Sequence, residues 1–264
     1  MKRVLIITVI TFFIFQVFAQ EEEKSLSEER QATLNYGIDN EIIGLIDTLK
    51  QEENYNFNEE LENLLRRTAN EQVKIACIDF FRTQEYKGAK DFVLEQMEYW
   101  EELSPAHLES SARYISILDD KDASDILLDL ARTGEGEVRN FAIRALGDSN
   151  MGEYGEPLFE IFKDNDTPSR QMPVLIQAIG NLKYTPAESD FEDILEDEGE
   201  ERSWRWYAAS ALGNIGTDSA FKTLEGSLSD NDSILRSYIY SAFENFSSEK
   251  SVPLLINGLR DNFW

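Results

Sequence analysis

Arg144-Ala145-Leu146-Gly147, Gln177-Ala178-Ile179-Gly180 and Ser210-Ala211-Leu212-Gly213 are three versions of one phrase, and their spacing decides the fold. The alanines Ala145, Ala178, Ala211 and Ala242 stand 33, 33 and 31 residues apart. A fixed period of this size marks a repeat array, in which each unit covers the apolar face of its neighbour. Around the markers, apolar residues step by three and four, as in Val138-Phe141-Ala142-Ala145-Leu146 and Trp204-Tyr207-Ala208-Ala211-Leu212-Ile215. The same steps run through Ile234-Leu235-Tyr238-Ile239-Ala242-Phe243-Phe246. Such steps draw a stripe down one side of a helix. The small residue is expected to let two helices approach closely, and the glycine after it to end the helix in a left-handed cap.

Shorter helical segments lie between the marked ones: Leu158-Phe159-Ile161-Phe162, Phe191-Ile194-Leu195 and Phe221-Leu224-Leu228. Acidic loops then open the next unit, at Asp164-Asn165-Asp166, Asp197-Glu198, Asp230-Asn231-Asp232 and Asp261-Asn262. Asp or Asn at these places caps a helix start and complements its dipole. Upstream, residues 73–81 and 108–118 fit first helices without the glycine, while 42–49 and 61–64 read as helical but cannot be phased. Period-two alternation is nearly absent, so the fold class is all-α, an α-α superhelix of about six to seven units. Arginine also recurs near the start of each first helix, at Arg139, Arg170, Arg205 and Arg236, with an acidic residue, mostly Asp, before it. Stacked units would then carry a ladder of alternating Asp and Arg that fixes register more than it adds stability.

The combination of acidic loop, Val/Trp-Arg, Ala-x-x-Ala-Leu-Gly and short second helix resembles the HEAT-repeat family of armadillo-type superhelices. The closest form is the short bacterial repeat that also occurs in bilin-lyase-like proteins. The resemblance is strong over residues 138–264 and weaker over 71–132. It implies a solenoid whose second helices line a surface for protein partners, with Glu160, Lys163, Glu192, Glu196, Lys222 and Glu225 as candidate lining. Pro173 falls within a first helix and is similar to the kink that many HEAT repeats carry there. Arg260-Asp261-Asn262-Phe263-Trp264 reads as the opening of a further unit. Phe263 and Trp264 are expected either to fold back as a cap or to belong to a longer array.

The N-terminus is a different kind of sequence. Lys2 and Arg3 precede an apolar run over residues 4–18, and Val17-Phe18-Ala19 fits what a signal peptidase reads. The run falls short of the roughly 20 apolar residues a membrane span needs. Residues 1–19 are therefore expected to be a cleaved secretory signal, residues 20–37 an acidic lead-in with a capping helix, and 38–264 the solenoid. Export places the chain in a periplasm or outside the cell, with no stable membrane insertion once the signal is gone. Removal leaves 23 Lys plus Arg against 51 acids, a formal charge of −28 compared with −26 for the whole chain. A surface this negative repels phosphate backbones, so nucleic acid is not an expected partner.

Groups that carry chemistry are few. Cys77, the single cysteine, lies in the apolar run Ile75-Ala76-Cys77-Ile78 and reads as a core residue; alone, it forms no internal disulfide and anchors no Cys-rich metal site. His107, the single histidine, follows Ser104-Pro105-Ala106 at a helix start and is expected on the surface. Acidic clusters such as Asp119-Asp120-Lys121-Asp122 lack the Gly and Glu of a calcium loop and read as caps. No catalytic residue, cofactor or metal is expected. Trp204, Tyr207 and Tyr238 sit on apolar stripes and are expected in the core, whereas Trp206 and Tyr240 lie off them and are candidate partner anchors. The leading reading is an exported, non-enzymatic scaffold for protein partners. Its alternatives are a ligand-handling protein of the bilin-lyase-like kind and an acidic, Ca²⁺-responsive envelope protein.

Overall fold

The computed structural model describes residues 24–259. The expected signal, Phe263 and Trp264 lie outside the described residues. Among the described residues there are helices, turns and no strand.

The chain divides into two compact units, the first running to Tyr99 and the second from Trp100 onward. In the first, residues 24–36 form α1, followed by α2 (Asp39–Gln51), α3 (Asn58–Arg67), α4 (Glu71–Thr83) and α5 (Lys90–Met97). Within the acidic lead-in the chain is helical from residue 24, its first turns exposed and Leu34 its buried anchor. Arg67 ties α3 to α1 by donating to the Leu34 carbonyl at 2.7 Å. α2 and α3 both pack on α4, burying Ile46, Leu49, Leu61, Leu65, Val73 and Phe81. Each such side chain contributes roughly 1.5–3 kcal/mol by leaving water. Cys77 is fully buried here, and burial pushes its thiol up to about 12, far from any reactive thiolate.

The second unit holds α6 (Pro105–Ser116), α7 (Lys121–Thr133), α8 (Gly136–Asp148), α9 (Gly155–Lys163) and α10 (Met172–Asn181). It continues with α11 (Glu188–Glu196), α12 (Arg202–Ile215), α13 (Asp218–Gly226), α14 (Ser233–Ala242) and α15 (Ser248–Gly258). The first helices stack in order, α6 on α8, α8 on α10, α10 on α12 and α12 on α14. The second helices fill the other layer, with α7 against α8, α9 against α10 and α11 against α12. Starts are set locally: Ser104 caps α6 ahead of Pro105, Asp120 caps α7, Thr217 caps α13 and Asp232 caps α14. Counting both units, the described residues hold seven helix pairs after α1, in keeping with an α-α solenoid.

Three local expectations change. The repeated glycines are not caps, because Gly147, Gly180 and Gly213 lie inside their helices. They serve close approach instead. A Cβ on Gly147 would stand 2.5 Å from Ala178 Cα, one on Gly180 2.5 Å from Ala211 Cα, and one on Gly213 2.6 Å from Ala242 Cβ. The glycine of each unit therefore receives the marker alanine of the next, and the left-handed cap of α12 falls to Gly216, at φ 74. Pro173 stands in the first turn of α10, where its missing N–H costs little, and so begins the helix without kinking it. His107 is 1% exposed, since the cap at Ser104 turns the first turn of α6 inward.

Candidate partner-binding surface

The second helices carry more charge than the first helices, and much of it is paired between neighbours. Arg132 of α7 reaches Glu160 of α9 at 3.8 Å, and Lys163 of α9 pairs with Asp190 of α11. Glu192 of α11 accepts from Ser219 at 2.8 Å and Thr223 at 3.1 Å on α13. Asp218 of α13 pairs with Lys250 of α15 at 2.5 Å, and that hydrogen bond holds its carboxyl below the usual range. The candidate lining residues Glu160, Lys163, Glu196, Lys222 and Glu225 are exposed, and Glu192 is half-buried. They share one layer, but Glu160, Lys163 and Glu192 are engaged across unit boundaries.

The four arginines are not equivalent. Arg205 is buried; its Nε and one terminal nitrogen donate to the Leu195 carbonyl at 3.0 and 2.8 Å. The same nitrogen pairs with Asp230 at 2.6 Å. Arg139 donates to the Ala131 carbonyl at 2.7 Å and Arg236 to the Asp230 carbonyl at 2.7 Å. Arg139 and Arg205 thus meet the last turns of α7 and α11, where the helix dipole favours a cation. Arg170 is exposed because it is out of phase: six residues before the marker, the place of Arg139, Arg205 and Arg236, the unit has Met172. The expected Asp–Arg alternation is therefore replaced by arginines bound to carbonyls, with Arg205–Asp230 as a carboxylate rung. Burial pushes the carboxyls of Asp230 and Asp232 up. At Asp230 the Asp232 N–H and Arg205 outweigh it; at Asp232 the Trp206 indole and the Leu235 and Ile234 N–H groups do, leaving both below the usual range.

The two aromatic candidates are not free anchors. Trp206 is half-buried, donates from Nε1 to Asp232 at 2.9 Å and stacks on Tyr238 with centroids 6.1 Å apart. Tyr240 is also half-buried, its ring against the backbone of Gly258 in α15. Trp204, Tyr207 and Tyr238, expected in the core, are likewise half-buried. A first helix has to meet a second helix and two first helices, and the aromatic rings fill the seams between them.

One row escaped the sequence reading. Asn181 donates to Asp148 at 3.4 Å, Asn214 to Asn181 at 3.0 Å and Asn245 to Asn214 at 3.2 Å. These side chains join α8, α10, α12 and the turn after α14 into a continuous amide ladder. Its signal was present, since each member follows a marker alanine by three residues.

Chemically, these arrangements hold helices together and display polar groups. Among the described residues no three His, Cys, Asp or Glu side chains converge as a metal site would require, and no helix is long and apolar enough to cross a membrane. A family model described as spirochaete HEAT repeat protein matches residues 34–264. The chain belongs to this family. Its HEAT match begins at Leu34, the buried anchor of α1, and so takes in the pairs that the sequence could not phase. No curated protein matches the chain.

Proposed function

We propose that this HEAT-repeat protein is an exported, non-enzymatic scaffold that binds protein partners along its stacked helices. The observation that carries the reading is repetition of surface. The same glycine–alanine contact sets α8, α10, α12 and α14 in one register, so equivalent positions recur unit after unit in a row. A row of equivalent positions suits a partner that lies along several units. Export is supported by the basic, apolar and small-residue order of residues 1–19.

Affinity purification of the chain from the envelope of the cells that make it, at low and moderate salt, tests the binding role. A specific co-purifying protein is expected at both salt concentrations, and recovery of none sinks the scaffold reading. N-terminal sequencing of the same material tests export. Gln20 is the expected first residue, and retention of Met1 in the bulk of the protein overturns it.

A further inference from the structure

Against 51 acidic residues in the chain, α10, α12 and α14 contain no aspartate or glutamate, whereas α11 alone contains five. Carboxylates have been kept off three consecutive first helices and placed on the second helices and loops. Exposed charge at the margin of the first-helix row is mixed, with Arg144 and Arg202 beside Asp148 and Glu201. The row also carries the amide ladder. An interior ladder asparagine uses one N–H and engages its carbonyl oxygen once, which leaves a further N–H and a further lone pair for a ligand. Beside the ladder lie two shallow grooves floored by marker alanines. One of 140 Å³ is bounded by Arg144, Asp148, Val174, Gln177 and Asn181; the other, of 230 Å³, by Ser210, Ser237, Tyr238, Ser241 and Asn245.

We infer that this row of first helices, and not the second-helix layer, docks an extended, neutral-to-acidic segment of a partner protein. Charge selects the occupant. On most of this molecule an acidic segment meets like charge, but on α10, α12 and α14 it meets no carboxylate, and Arg144 and Arg202 offset Asp148 and Glu201 at the margin. A basic segment is drawn instead to the second helices. Pitch agrees with an extended chain: packed helices stand roughly 8–10 Å apart, the length of about three extended residues. An amide donor and acceptor then recur once per unit along the main chain, and the grooves take alternate side chains.

The inference rests on the scaffold reading, and one experiment separates their failures. A random library of phage-displayed peptides, about twelve residues long and so able to span four units at that pitch, is selected on the purified chain. Selected peptides are expected to be neutral or acidic, and to bind about tenfold more weakly to Gln177→Glu and Ser241→Asp, a loss of about 1.4 kcal/mol. Both positions are exposed, so the variants keep the fold, which an unchanged melting temperature verifies. Glu156→Gln and Asp193→Asn, at exposed second-helix positions, are expected to leave binding within about twofold. Basic peptides, or any that ignore the first-helix substitutions, overturn the inference and leave the scaffold standing. No peptide above background also overturns the inference, and the scaffold reading then stands or falls on the co-purification experiment alone.

Discussion

A methyl group added to Gly180 would lie 2.5 Å from Ala211 Cα, well inside van der Waals contact, and the atom it meets is backbone. Neither helix yields without opening the seam between α10 and α12, so Gly180→Ala is expected to cost about 2–3 kcal/mol in urea unfolding, despite the better helix propensity of alanine. Gly44→Ala is the control. Nothing lies within 4 Å of its added Cβ inside α2, and it is expected to gain roughly 0.5–1 kcal/mol. A Gly180→Ala protein as stable as the wild type refutes the close-approach role. The sequence displayed these glycines but not their purpose, because a cap and a close contact ask for the same missing side chain. Only the next helix tells them apart. His107 shows the same limit: its polarity points to the surface, and only the packing of α6 puts it inside.

Arg205 joins three elements, binding the end of α11, its own helix α12 and the loop before α14. Arg205→Met is expected to cost about 3–5 kcal/mol, since it strands Asp230 beside a bare Leu195 carbonyl. Lys163→Met breaks a more exposed pair with Asp190 and is expected to cost less than about 1 kcal/mol. Equal losses in chemical denaturation would mean that burial does not decide the value of these ion pairs. Acid provides a second reading at this scale. A carboxylate held below its unfolded value stabilises the fold above that value, and the gain is lost as pH falls through the folded one. With an unfolded Asp at about 3.9, Asp230→Asn is expected to lose stability at neutral pH and to approach the wild type only as pH falls below that value and through the lower folded one. A constant gap across that range refutes the assignment. Recurrence made arginines visible in the sequence, but Arg170 was counted with them although Met172 holds the equivalent place. A ladder needs phase as well as repetition. The amide row of Asp148, Asn181, Asn214 and Asn245 had the right phase and passed unseen among loop-like asparagines.

For the molecule as a whole, the excess of negative charge acts against compactness through self-repulsion, and added salt screens it. The acids are spread over many helices and loops, and among the described residues no three gather as a metal site would require. Moving from low to moderate NaCl is expected to raise the melting temperature by about 3 °C or more, the equivalent of roughly 1 kcal/mol for a chain of this size. If screening alone acts, CaCl₂ and MgCl₂ at matched ionic strength are expected to agree within about 1 °C. A rise specific to Ca²⁺ would instead require carboxylates to converge around the ion. It would revive the reading of this protein as a calcium-responsive component of the envelope.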